Sequence, residues 1–82
     1  MEKRIALIGI IVKNSEKTDE LNALLHSYGK YIIGRMGVPY KENNLSIISI
    51  AVDGEQSIIS ALSGKLGRID GINVKTLYAD VS

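Results

Sequence analysis

Few side chains of this 82-residue chain could carry out covalent or metal chemistry. The chain has no cysteine, so it offers no thiolate nucleophile, zinc-thiolate site or iron–sulfur ligand. His26 is the one histidine, whereas protein metal sites usually need three or four ligands. Asp19 and Glu20 are adjacent on a predicted helix and therefore point apart, as surface charges do. We predict no catalytic residue, no metal site, no cofactor and no enzyme activity. Two alternatives stay open: an oligomer that brings copies of His26 together with a carboxylate, and a small enzyme, since a fold alone does not exclude catalysis.

Two short segments have residue types suited to binding an anion. Arg35 lies in a predicted strand beside Gly37, where a guanidinium could hold a carboxylate or phosphate with two hydrogen bonds. An Arg that packs its aliphatic stem on apolar surface is the structural alternative. Asn14 and Ser15 lie at a predicted helix start, where free backbone N–H groups attract anions but capping also satisfies them. We take Asn14, Ser15, Arg35 and Gly37 as candidate ligand-binding residues.

The elements that would position these residues follow the order βαββαβ. Residues 4–13 and 45–53 form strands that are apolar at both odd and even positions, which is typical of central strands. A helix to about Tyr28 carries its leucines on one stripe, and a second helix follows Asp53. The weaker strands cover about 30–38 and 72–79. This order predicts an α+β, ferredoxin-like sandwich: a four-stranded antiparallel sheet with two helices on one face.

Several local signals predict where these elements end. Gly29 and Gly67 are expected to close the two helices in the left-handed conformation. Asp53, three residues before Gln56, resembles a capping box. Gly34 and Gly37 suggest a β-bulge, and we expect Pro39 to end strand pairing because it has no N–H. Gly64-Lys65 lies at a helix end rather than a helix start, so it is not a phosphate-binding loop.

Two helices can cover only one face of the sheet, and the other face is also apolar. We expect Ile48, Ile50 and Val52 to face the helices. A contiguous apolar patch on a soluble protein usually marks an interface. The sequence therefore predicts a homo-oligomer, a dimer or tetramer, with these candidate interface residues: Ile5, Leu7, Gly9, Ile11, Leu45, Ile47, Ser49 and Ala51. A monomer with an exposed apolar sheet is the alternative.

Charge and composition narrow the class of protein. Ten Lys and Arg balance nine Asp and Glu, which argues against a strongly basic nucleic-acid surface. DNA binding through Lys3, Arg4, Lys13, Lys30 and Lys41, gathered across an oligomer, remains the alternative to a ligand or protein partner. The apolar run after Arg4 lacks a cleavage site and is shorter than the ~20 residues that span a bilayer, so we expect neither a signal peptide nor a membrane segment. We predict a cytoplasmic protein.

Five segments together resemble the family of small regulators associated with the iron-only hydrogenase system of anaerobic bacteria. Two of them are long, Tyr31–Tyr40 (YIIGRMGVPY) and Ile58–Gly67 (IISALSGKLG). The three shorter ones are Glu2–Arg4 (EKR), Leu25–His26 (LH) and Gly71–Thr76 (GINVKT). The resemblance extends over essentially the whole chain, residues 1–82.

The resemblance implies a single ACT-like regulatory domain, similar to the C-terminal sensor domain of the nickel-responsive repressor. Such domains oligomerise through their sheets and sense small ligands at their interfaces, so the resemblance implies regulation, including regulation of transcription, rather than catalysis. The His and Cys ligands of the nickel sensor have no counterparts here. The repressor's ribbon-helix-helix arm also has no counterpart ahead of the strand that starts at residue 4.

Overall fold

Four β-strands and two α-helices follow one another in the predicted βαββαβ order. The computed structural model describes residues 3–13 and 15–79. The sheet has the order β2-β3-β1-β4, and every neighbouring pair is antiparallel. The two strands with two apolar faces are thus the central pair, and the α+β, ferredoxin-like prediction is confirmed. The elements are β1 (Lys3–Val12), α1 (Thr18–Ser27), β2 (Ile32–Tyr40), β3 (Leu45–Glu55), α2 (Gln56–Gly67) and β4 (Ile72–Tyr78).

One face of the sheet and both helices enclose a single hydrophobic core. The predicted inward set Ile48, Ile50 and Val52 is buried, as are the even-numbered residues of β1 from Ala6 to Val12. Removing this much aliphatic surface from water is the main stabilising contribution, at about 1.5–3 kcal/mol per large side chain. The rest of the core consists of Leu21 and Leu25 of α1, Ile59, Leu62 and Leu66 of α2, Ile69 just after α2, and Ile72 of β4.

Both helices end differently from the prediction. Gly29 begins a 3-10 turn, Gly29–Tyr31, in which the N–H of Tyr31 donates to the carbonyl of Tyr28 over 3.0 Å. Gly67 is the last residue of α2 and is followed by Arg68 in a right-handed helical conformation. The left-handed caps predicted at Gly29 and Gly67 are therefore wrong. A further turn, closed by the N–H of Ile69 on the carbonyl of Leu66, brings Ile69 into the core.

Strand pairing also overrides the predicted start of the second helix. β3 continues through Asp53, which pairs with Ile5, and ends at Glu55 opposite Lys3. Glu55 is then the residue before α2, and its side chain makes no capping hydrogen bond. The capping box at Asp53 is wrong because two more ladder positions are gained by extending the strand. α1 likewise follows a 3-10 turn, Ser15–Lys17, without a side-chain cap.

Pro39 does not end its strand, so that prediction is wrong too. It lies opposite Ser46, and β2 continues to Tyr40. Because β2 is an edge strand, one side of its backbone faces solvent and a missing N–H there breaks no ladder bond. The predicted bulge is present: the register shifts between Ile32 and Gly34, while Gly37 pairs regularly.

Two left-handed residues make the turns into the last strands. Asn44 has φ 54° between a 3-10 turn, Lys41–Asn43, and β3. Gly71 has φ 80° just before β4, a conformation that glycine adopts without steric cost. In the described part of the chain, neither helix is long and apolar enough to cross a bilayer.

Candidate functional site

The helix-free face of the sheet, called the open face below, carries most of the large apolar side chains that the described residues expose. Alternation along β1 and β3 places all eight predicted interface residues on it. Ile5, Leu7 and Ile47 are each 43–46% exposed although they are large aliphatic side chains. The structure therefore brings together the residues Ile5, Leu7, Gly9, Ile11, Leu45, Ile47, Ser49 and Ala51.

The two edge strands extend this face beyond the predicted residues. Met36 lies opposite Ser49, Val38 opposite Ile47, and Leu77 opposite Leu7, so all three share the open face. Alternation could have identified Met36 and Val38, but Gly34 and Gly37 interrupt the apolar pattern of β2. The large exposed apolar residues of the open face are Ile5, Leu7, Ile11, Met36, Val38, Tyr40, Ile47 and Leu77.

Gly9 leaves the centre of the open face without a side chain, and charged residues lie at the margin of the face. A Cβ built on Gly9 would meet only the carbonyl of Lys75, at 3.9 Å, so no described residue covers this point. Lys3 and Glu55 pair at one end of the face, and Lys75 lies on its β4 side. An apolar centre within a polar rim is the usual composition of a protein–protein interface.

The edges of the sheet are less suited to pairing with another chain than its face. β2 carries a bulge at Ile33 and a proline at position 39, both of which protect an edge from strand addition. β4 is only seven residues long and carries Lys75. Short strands and lysine are further devices that protect sheet edges.

The candidate ligand residues lie at different places. Arg35 pairs with Ile50 and Gly37 with Ile48, so both belong to the helix-covered side of the sheet rather than the open face. Ser15 begins the 3-10 turn before α1, beyond the opposite end of β1 from Lys3. Asn14 lies outside the described residues.

Arg35 borders a cleft of about 540 Å³ between α1 and the edge strand β2. Its Nη2 donates a hydrogen bond to Oδ1 of Asn22 over 2.7 Å. Gly37 does not line this cleft, whereas the exposed His26 does. Asn22 was not identified from the sequence, because nothing in its spacing from Arg35 indicates the contact. The full lining is Asn22, Ala23, Leu25, His26, Gly29, Ile32 and Arg35.

The other polar motifs make contacts within the chain. Lys65 Nζ donates to the hydroxyl of Tyr28 over 2.9 Å, which joins α2 to the end of α1. Arg4 lies over the ring of Tyr78, with Cζ 4.6 Å from the centroid, and donates to Gln56. Within residues 3–13 and 15–79, no group of three His, Cys, Asp or Glu side chains could hold a metal ion.

The lysines and arginine of the DNA-binding alternative lie at opposite ends of the sheet. Lys3 and Arg4 start β1 at the end where β3 finishes, and Lys30 precedes β2 at that same end. Lys13 and Lys41 lie at the other end, beyond the pairs Val12–Ser46 and Tyr40–Leu45. A single chain therefore does not gather them into one surface.

Comparison with known proteins finds a matching family and similar solved structures. Residues 4–76 match the TM1266-like family, described as "Iron-only hydrogenase system regulator, putative". The solved structure of the uncharacterized protein TM1266 from Thermotoga maritima is 38% identical and superposes with a TM-score of 0.92. The match covers 96% of this chain and all of that one. No curated protein matches the chain.

Proposed function

Because this chain belongs to the TM1266-like family of iron-only hydrogenase system regulators, we propose that it is a homo-oligomeric regulatory protein that pairs through its open face. In this role it binds a small ligand or a protein partner and catalyses no reaction. The observation that carries the proposal is the contiguous apolar surface on the side of the sheet opposite the helices.

The size of the open face supports a stable contact between two copies. A four-stranded sheet with strands about 4.8 Å apart and about nine residues long spans roughly 20 by 30 Å, or ~600 Å². The side chains that project from the sheet add to this area. A standard specific interface buries about 800 Å² per partner. The face is thus about the size of one complete interface.

A two-fold axis through the open face would place the two sheets against each other with helices on both outer surfaces. Such a contact is isologous, since the same residues contribute from both chains. It would bury Ile47 and Leu7 in a second core about 10 Å thick, as in sheet sandwiches. A tetramer would need an additional contact elsewhere on the chain.

The non-catalytic role is supported by the side chains available. A nucleophile and its general base must lie within hydrogen-bonding reach of each other. With no cysteine and one histidine, any pair of a nucleophile with a histidine base would have to use His26, which is exposed in the cleft beside Arg35. A binding role for this cleft requires only hydrogen-bond donors and a positive charge.

The regulatory role can be tested in cells that lack the chain. These cells are made to express the wild type, Ile47→Asp or Ala61→Asp. The level of hydrogenase transcript and the hydrogenase activity are then both measured. Ala61 is exposed on α2, so its variant adds the same charge away from the open face. We expect wild type and Ala61→Asp to restore the regulated level and Ile47→Asp to fail.

Two outcomes separate the mechanisms. A change in transcript places the protein in regulation of transcription, with DNA or a transcription factor as partner, whereas a change in activity alone places it after transcription. Restoration of both readouts by Ile47→Asp, at equal protein level, would contradict a function that depends on pairing through the open face.

A further inference from the structure

We propose that the cleft beside Arg35 is a binding site for a small anion that carries a carboxylate or phosphate group. This inference rests on the proposed function, since the anion would be the small ligand that the regulator binds. Its chemistry is independent of pairing, because the cleft lies on the helical side of the sheet within one chain.

Arg35 provides the charge of the site. Among the described residues its guanidinium bonds only to the neutral amide of Asn22, through one N–H of Nη2. A guanidinium has five N–H donors in a planar fork, so four remain for a ligand. Carboxylates and phosphates match this fork with two parallel hydrogen bonds, which are shorter and stronger than bonds between neutral groups.

Asn22 and His26 direct further donors at the same cleft. They are four residues apart on α1 and therefore lie on the same side of the helix. Because Oδ1 of Asn22 accepts from Arg35, both hydrogens on its Nδ2 remain as donors. The His26 ring can donate an N–H in either tautomer. The three polar side chains that line the cleft thus favour a ligand that accepts hydrogen bonds. None of the lining residues is acidic.

The nearby end of α1 does not reverse this preference. His26 is in the last turn of the helix, where the macrodipole carries roughly half a negative charge. The guanidinium carries a full positive charge, and the field of a helix end falls off within one turn. The sum still favours an anion.

The walls of the cleft also limit the ligand. Its volume of about 540 Å³ falls within the ~300–1,000 Å³ range of small-molecule sites. Ala23 and Ile32 contribute apolar surface beside the polar groups. The site suits a ligand with an anionic group and a short apolar body.

The test is a titration of the ¹⁵N-labelled full chain with sodium phosphate and, separately, with sodium acetate, at constant ionic strength. We expect saturable shifts of the Asn22, His26 and Arg35 amides with at least one of the two anions, and the anion that saturates first identifies the head group. Arg35→Gln should weaken binding at least about tenfold, since bonds to charged groups contribute most. Arg35→Lys, which keeps the charge but not the fork, should also bind more weakly than wild type.

Arg68→Gln is the matched control. It removes the same charge from an exposed residue just after α2 that does not line the cleft. We expect its affinity to stay within about twofold of wild type, as for surface changes that touch no special feature. Shifts that never saturate, or equal effects of Arg35→Gln and Arg68→Gln, would show only general electrostatic attraction and overturn the proposal.

Two further measurements keep this inference separate from the proposed function. Ile47→Asp should retain anion binding even as a monomer, and Arg35→Gln should retain the wild-type oligomer and circular dichroism spectrum. An oligomer that binds neither anion overturns the anion site alone. Dissociation of the oligomer by Arg35→Gln would also overturn it, because Arg35 would then have a structural role.

Discussion

Leu7 and Leu77 are direct cross-strand partners, and both side chains lie on the open face, 44% and 69% exposed. Each leucine therefore leaves much of its apolar surface in water when the chain is alone. At about 25 cal/mol per Å² of apolar area, covering such surfaces is a strong drive to association. This pair places the edge strand β4 within the same apolar surface as the central strands.

Thermal stability should depend on protein concentration. Association stabilises only the folded chain, so a tenfold rise in concentration adds about 0.7 kcal/mol per chain of a dimer. For a domain of this size the Tm should rise by about 3–6 °C per tenfold increase. Differential scanning calorimetry at several concentrations measures this slope, and Ile47→Asp serves as the control with no slope. A Tm of the wild type that does not change with concentration would argue for a monomer.

Gly9→Leu should weaken association while leaving the monomer folded. In the chain alone the new Cβ would meet only the Lys75 carbonyl at 3.9 Å, so there is space for it. In a close contact between sheets the larger side chain overpacks, at a cost of about 1–3 kcal/mol. Gly37→Leu is the control, since it makes the same change on the helical side of β2. Sedimentation equilibrium gives both dissociation constants, and a Gly9→Leu value equal to wild type would show that no partner approaches Gly9 closely.

The hydroxyls of Ser63 and Thr76 should be energetically coupled. Their oxygens are 2.8 Å apart in a partly buried bond that joins α2 to β4. Ser63→Ala or Thr76→Val leaves one hydroxyl without its partner, and we expect each to cost about 1 kcal/mol of unfolding free energy. The double variant should cost less than the sum of the two. Urea unfolding in an Ile47→Asp background measures folding without dissociation, and strict additivity would show that the bond contributes nothing.

The sequence predicts the architecture because patterning and topology agree. Residues 4–13 and 45–53 are apolar at both odd and even positions, and the βαββαβ order makes those two strands central. Within them, Ile48 and Ile50 face the helices and Ile47 the open face, as alternation requires. The family resemblance is confirmed by the match over residues 4–76.

The errors occur where tertiary structure overrides a local signal. Asp53 is a good capping residue, but pairing with Ile5 holds it in the strand. Gly67 could adopt a left-handed cap, but burial of Ile69 favours another helical turn. Local propensity is worth about 1 kcal/mol at such positions, and one buried aliphatic side chain outweighs it.

The cleft was only partly predictable for a different reason. Arg35 is recognisable from its residue type and its neighbours, but Asn22 is 13 positions away on another element. Their contact depends on how α1 packs against the edge of the sheet. No local periodicity encodes that distance, whereas the i, i+4 spacing of Asn22 and His26 is visible in the sequence.

Pairing through the open face is tested most directly by the mass in solution of wild type and Ile47→Asp, measured by light scattering during size-exclusion chromatography. Ile47 lies between Ile11 and Val38 on this face, so an aspartate there is tolerated in a monomer but buried unpaired in a dimer. We predict that wild type has a mass that is a multiple of two chains of 8.9 kDa. Ile47→Asp should have the mass of one chain, and its dissociation constant should be at least about a hundredfold higher than that of the wild type. A monomeric wild type, or an Ile47→Asp variant with wild-type mass, would contradict pairing through the open face.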